Sequence, residues 1–144
     1  MTVKVTVGEI MSKDVFTVDV DDTVKKAEEI MRNEQVRHVP VLDGNKFFGL
    51  ITERSIMEYT LRQIYEFDNI DGEVGMNRIL DYEKILTHCD HVIFPEDSVQ
   101  KAIKLMTKHK IDCLPVLDWE NHLVGILSSI DVLLFVNRIL EIKG

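Results

Sequence analysis

The sequence predicts an α+β fold made of two β-α-β-β-α repeats packed with pseudo-twofold symmetry. Three observations predict it. Residues 75 apart match at Ile10 and Ile85, Asp22 and Asp97, Val24 and Val99, Ala27 and Ala102, Met31 and Met106, and Pro40 and Pro115. Each copy carries apolar residues at helical spacing just before its shared proline. Each copy then has two β-rich runs separated by a turn, the pattern of a hairpin. The match keeps register over most of each half. One residue enters the second turn, so that Gly49 pairs with Gly125 at an offset of 76.

The elements follow in order. A short strand is expected at "VFTV" and at its counterpart "HVIF". The first helix is "DDTVKKAEEIMRNEQ", with Val24, Ala27, Ile30 and Met31 on one face and Asp22 or Thr23 as its cap. Its copy, "EDSVQKAIKLMTKHK", places Val99, Ala102, Ile103, Leu105 and Met106 similarly, capped by Ser98. The strand runs "RHVPVL" and "DCLPVL" lead into turns at Asp43-Gly44-Asn45 and Asp118 to Asn121. The chain returns along "KFFGLIT" and "HLVGILS". A second helix follows each hairpin, with Ile56, Met57, Leu61, Ile64 and Tyr65 apolar in one copy. In the other copy these are Val132, Leu133, Phe135, Val136, Ile139 and Leu140. The polar, glycine-bearing stretch Asp68 to Gly75 marks the boundary, giving repeats at 1–70 and 71–144. Halves this small hold marginal cores alone, so pairing is expected, with two related clefts between them.

Composition narrows the function. Of 144 residues, 45% are hydrophobic and 29% charged, a globular balance. The longest apolar run, Val132 to Val136, is too short to span a membrane, and the N-terminus lacks a signal-peptide stretch. A cytoplasmic location is therefore expected. A net charge of −8 with no basic run argues against nucleic acid or an anionic membrane as partner. The two cysteines, Cys89 and Cys113, form no disulfide framework. "THCDH" gathers His88, Cys89 and His91 but has no companion cluster, so no metal site is assigned. No nucleophile turn, glycine-rich phosphate loop or isolated acid pair proposes a reaction, and the chain is not expected to be an enzyme.

Ser128 and Asp131, in "GILSSID", stand where the second strand hands over to a helix. A hydroxyl there can cap the helix or donate to a phosphate, and a helix N-terminus favours an anion. In the first copy, "GLITERS", Ser55 takes the place of Asp131.

These residues carry a resemblance. "VGEIM", Ala27, Met31, "HVPVLD" and "GLITERSI", with Ala102, Met106, "CLPVLD" and "GILSSIDV", resemble the tandem CBS domains that pair as Bateman modules. The resemblance covers nearly the whole chain and implies a stand-alone regulatory module. Such a module would bind an adenosine-containing ligand (AMP, ADP, ATP or S-adenosylmethionine) between the repeats and signal to a partner protein. No cofactor is required. By the family pattern Asp131 would accept hydrogen bonds from both ribose hydroxyls, Ser128 would meet a phosphate and Ile126 would pack on the base. Asp22, Ala27, Val36, Arg37 and His38 would stand opposite, with Arg37 as a bidentate phosphate ligand. The second cleft would join Leu50, Thr52, Arg54 and Ser55 to Ile111, Asp112 and Cys113. It is expected to be the weaker one. Ser55 is uncharged, Asp112 replaces Arg37 and repels phosphate, and Arg54 also reads as a solvated helix-face charge. Family members pair through the helices after each hairpin, so a homodimer is implied, and the apolar "DVLLFVNRILEIKG" fits one. The alternative is a structural or partner-binding pair with no functional ligand site, which the departures at Ser55 and Asp112 favour.

Overall fold

The computed structural model describes residues 4–66, 86–87 and 91–143, with side chains described for 4–61 and 91–142. The expected boundary at Asp68 to Gly75, the side chains of Ile64 and Tyr65, and His88 and Cys89 lie outside the described residues. Two compact units form. One is Phe16–Cys89; the other joins Met1–Val15 to Asp90–Gly144.

In the first unit, β1 (Val18–Asp19) runs parallel to β2 (His38–Asp43), and β2 pairs antiparallel with β3 (Lys46–Thr52). A further strand, β4 (Leu86–Thr87), closes the order β1-β2-β3-β4. β1 is shorter than the "VFTV" expectation and begins at its last residue. The chain turns away at once, because Asp22 accepts the Asp19 N–H at 2.7 Å. The helix α2 (Val24–Glu34) is capped by Thr23, whose hydroxyl accepts the Lys26 N–H at 3.2 Å. It ends on Gln35 in the left-handed region at φ 54°. Val24, Ala27 and Met31 from α2 bury against Val18, Val39, Val41 and Ile51 of the sheet. The helix α3 (Glu53–Glu66) adds Ile56 to this core and leaves Met57 and Leu61 exposed.

The second copy repeats these details. The helix α4 (Val99–His109) is capped by the Ser98 hydroxyl, 3.1 Å from the Lys101 N–H, and ends on Lys110 at φ 55°. β5 (Cys113–Leu117) and β6 (Leu123–Ser128) form its hairpin, and the helix α5 (Ser129–Lys143) follows. The bulge at Val41/Leu42 recurs at Val116/Leu117, and the parallel pairing of Val18 with Val41 recurs as a single bridge from Ile93 to Val116. That bridge does not lengthen into the expected strand; Pro95, lacking an N–H, stands two residues on. Its core gathers Ile93, Ala102, Met106, Leu114, Val116 and Leu127.

Into the same core goes Val7, from the helix α1 (Val7–Ile10), which periodicity did not predict. The Val7 N–H donates to Asp97 O at 2.8 Å and the Gly8 N–H to Pro95 O at 2.9 Å. Ser12 then exchanges two backbone hydrogen bonds with Ile126, of 2.8 and 2.9 Å, adding an edge to β6. The first unit has the same device: Thr87, 75 residues after Ser12, pairs with Leu50, the counterpart of Ile126. Each hairpin is thus edged by chain that leads into the other repeat.

The fit at this edge is tight. A Cβ on Gly125 would stand 2.7 Å from Met11 Sδ and 2.8 Å from the Ser12 carbonyl oxygen. The methionine can yield, but the backbone cannot without loosening its pairing. Gly125→Ala is expected to lower unfolding free energy by about 1–3 kcal/mol, measured by urea denaturation, and to raise amide exchange at Ser12 and Ile126.

Candidate functional site

The Ser128–Asp131 turn sits at the first turn of α5, where β6 delivers it. The Asp131 carboxylate is held on three sides. Its Oδ2 accepts the Ser128 N–H at 2.9 Å and the Ser128 hydroxyl at 3.1 Å. Its Oδ1 accepts the Ser12 hydroxyl at 3.0 Å. The Asp131 N–H returns to Ser128 Oγ at 3.2 Å, which completes a reciprocal cap. A carboxylate offers about four lone-pair positions, so three donors leave room for one more, on Oδ1. The group is half-buried, at the positive end of a helix, with its orientation fixed by its neighbours. Ile126, two residues upstream on β6, is also half-buried.

The first-copy turn at α3 is closed on itself. Ser55 Oγ donates to the Thr52 carbonyl at 2.9 Å and accepts the Thr52 N–H at 3.0 Å, while Thr52 Oγ1 accepts the Ser55 N–H at 2.9 Å. Its hydroxyls serve the turn, and Ser55 places a hydroxyl where the second copy has the Asp131 carboxylate. Beside it Arg54 is exposed and pairs with Glu58 at 3.2 Å, as a helix-face charge does.

The other expected residues are placed as follows. Arg37 is exposed, His38 and Val36 are half-buried, and the Arg37 carbonyl accepts the Glu53 N–H at 3.0 Å, joining β2 to the start of α3. Asp112, the counterpart of Arg37, uses its carbonyl the same way on the Ser129 N–H at 2.8 Å. Asp22 accepts the Asp19 N–H and pairs with Lys26 at 3.2 Å. The Asp19 N–H holds its carboxyl below the ordinary value; burial opposes this, and Lys26 adds to the lowering. The stability this contributes is present above the unfolded value and is lost as pH falls through the lowered one. Asp97 repeats the arrangement with the Phe94 N–H at 2.9 Å and Lys101 at 3.1 Å. Ala27 is 0% exposed, and Leu50 and Cys113 are also buried. Ile111 is half-buried and packs on the core of its unit.

Among the described residues no cluster of His, Cys, Asp and Glu suits a metal ion. His91 instead stacks on His109 with ring centroids 3.8 Å apart. Desolvation, with His91 and Lys108 adding to it, pushes His109 below its ordinary value. No helix among the described residues is long and apolar enough to cross a membrane. Sequence reasoning missed Ser12, whose contact with Asp131 spans 119 residues of chain. It also missed Trp119, exposed on the second turn.

Comparison with known proteins places these features in a family. The CBS domain profile matches residues 7–62 and again 83–138. The homoserine O-acetyltransferase of Methanosarcina acetivorans is 27% identical over 124 residues, 85% of this chain but 20% of that protein. The CBS domain-containing protein YhcV of Bacillus subtilis is 29% identical over 126 residues, covering 88% of this chain and 81% of that one. This chain thus spans only about a fifth of the acetyltransferase. Among solved structures, AcuB of Vibrio cholerae superposes with a TM-score of 0.81 at 22% identity, over 98% of this chain and 96% of that one. The CBS domain pair of protein MJ0100, solved with 5′-methylthioadenosine and S-adenosyl-L-methionine, gives 0.73 at 23% identity over 99% and 100%. CBSX2, solved with AMP, gives 0.75 at 24% identity over 96% and 98%. Two profile matches covering most of the chain, on two copies of one mixed α and β unit, leave one assignment: this chain belongs to the CBS domain family and carries the domain twice.

Proposed function

We propose that this chain is a regulatory module that binds an adenosine-containing ligand, an adenine nucleotide or S-adenosylmethionine, and signals its presence to a partner protein. The observation that carries the reading is the Asp131 carboxylate. It is held in one orientation at a helix N-terminus and has acceptor capacity left on Oδ1. Ribose hydroxyls are donors suited to that oxygen, and the N-terminus of α5 suits a phosphate near Ser128. The adenosine ligands of MJ0100 and CBSX2 support the ligand class. Arg37 and His38 are assigned to the phosphates and Ile126 to the base, with Asp22, Ala27 and Val36 as supporting residues. Thr52, Arg54, Ser55, Leu50, Ile111, Asp112 and Cys113 are assigned to a second, weaker site. The chain is proposed to act as a cytoplasmic homodimer without catalysing a reaction.

One observation favours the alternative, a partner-binding pair without a ligand. Every hydrogen bond that Asp131 makes in this structure serves the fold, through the cap on α5 and the tie to Ser12. A thermal-shift panel of AMP, ADP, ATP, S-adenosylmethionine and NAD separates the two. A ligand at a hundredfold excess over its dissociation constant adds about 2.7 kcal/mol, a shift of a few degrees or more. A panel with no shift at millimolar ligand supports the alternative.

The Ser12 hydroxyl occupies a place on Oδ1 that a second ribose hydroxyl would need. Ser12→Ala is therefore expected to tighten nucleotide binding by about fivefold, the worth of one modest hydrogen bond. Isothermal titration checks this. Weaker binding in Ser12→Ala would mean that Ser12 positions the carboxylate instead of competing for it.

A further inference from the structure

We propose that the exposed face of Trp119 is a docking point for a cationic side chain, arginine or lysine, presented by a partner protein. Trp119 is the single tryptophan of the chain and is 78% exposed. It is nevertheless held in place. Its ring stacks on Phe94 with centroids 4.1 Å apart and planes 12° from parallel. Its indole N–H donates to Glu96 Oε1 at 2.8 Å. One face of the indole is covered by Phe94, and the ring is set before any partner arrives, so little side-chain freedom remains to be lost on binding.

The fold does not require this arrangement. In the first copy the same turn is Asp43-Gly44-Asn45 with no aromatic residue, and the counterparts of Phe94 and Glu96 are Asp19 and Asp21. The residue inserted into the second turn lies in the stretch that contains Trp119. The first hairpin forms, with the same bulge, without any of these three side chains.

The chemistry of the patch selects the partner. An indole face carries negative electrostatic potential and attracts a guanidinium or ammonium. Carboxylates of Glu96, Asp118 and Glu120 lie on or beside the ring's own loop, and the whole chain carries a charge of −8. His122, the one basic side chain of the turn, is bound to Asp118 at 3.0 Å. A guanidinium stacked on the open indole face can also meet Glu96, whose Oε1 already touches the ring's edge. Tryptophan is among the residues enriched in binding hot spots, and the acid groups beside this one favour a basic segment. This surface is separate from Asp131 and does not depend on the adenosine reading.

The test uses the intrinsic fluorescence of Trp119 in the full chain. The probes are the peptide acetyl-Gly-Arg-Gly-Arg-Gly-amide and its citrulline counterpart, which has the same shape without charge. Saturable change with the arginine peptide, at about tenfold lower concentration than with citrulline, is the expected result. With a dye-labelled arginine peptide followed by anisotropy, Trp119→Ala is expected to bring binding down to the citrulline level, and Glu96→Gln to weaken it severalfold. Circular dichroism verifies that both variants fold. Equal response to the two peptides overturns the proposal, as does unchanged binding by Trp119→Ala, which would mean attraction by net charge alone. Loss of self-association in Trp119→Ala, seen by sedimentation, also overturns it by assigning the face to a second copy.

Discussion

Asp131→Asn is expected to weaken adenosine-ligand binding by about 100-fold while leaving the chain folded. Hydrogen bonds to a charged acceptor are worth about 1.5–3 kcal/mol each, and a 100-fold change is about 2.7 kcal/mol. The amide can still accept the Ser128 N–H and hydroxyl, so the cap on α5 survives in weakened form. The expected loss of stability is about 0.5–1 kcal/mol. Asp131→Ala loses the cap as well, with about 1–2 kcal/mol of destabilisation. The asparagine variant therefore separates the ligand role from the structural one. Isothermal titration with the best ligand of the panel, beside urea unfolding, reads both. Equal affinity in wild type and Asp131→Asn would remove the carboxylate from the binding account.

Leu133→Glu combined with Leu140→Glu is expected to convert a homodimer into a monomer. In α5, Leu133, Leu134, Leu140 and Ile142 are 61, 57, 62 and 85% exposed, and Ile130 and Val136 are exposed as well. The helix has turned part of its apolar surface inward, where Val132 reaches the core beside Ile93 and Leu127. The remainder is more than a lone surface helix normally shows. Burying a leucine contributes about 1.5–3 kcal/mol, so two charged replacements on each copy should weaken association by at least 100-fold. Sedimentation velocity at micromolar protein reads the change, with circular dichroism expected to stay native. A wild type that sediments as a monomer would contradict the proposed dimer.

Much of this structure was legible because the chain states it twice. The duplicated periodicity placed α2 and α4, Ser98 marked the cap of α4, and the choice of Asp22 or Thr23 at α2 falls to Thr23. The paired β-rich runs placed both hairpins, and the single insertion fell in the turn that tolerates it. The lead-in segment was not legible. Val7–Ile10 is too short for a periodic signal, and its partners are about 90 residues away in the chain, at Pro95 and Asp97. Hydrophobic pattern cannot say which sheet edge receives such a segment. Ser12 was hidden for the same reason. Asp22, proposed above as a supporting residue of the site, also makes local hydrogen bonds in the turn before α2 that were not anticipated. The signal was present as Asp followed four residues later by Lys in both copies, Asp22–Lys26 and Asp97–Lys101, which marks a helix-start ion pair. Trp119 gave no periodic cue, being a turn residue. Its only sequence mark was the extra residue that breaks the offset from 75 to 76.

The most direct test of the central claim is a crystal structure of the chain grown with the tightest-binding adenosine ligand. The ribose hydroxyls are expected within hydrogen-bond distance of Asp131, with at least one on Oδ1 and the Ser12 hydroxyl rotated away or shared. A ribose bound elsewhere, with Asp131 still tied only to Ser12 and Ser128, would contradict it.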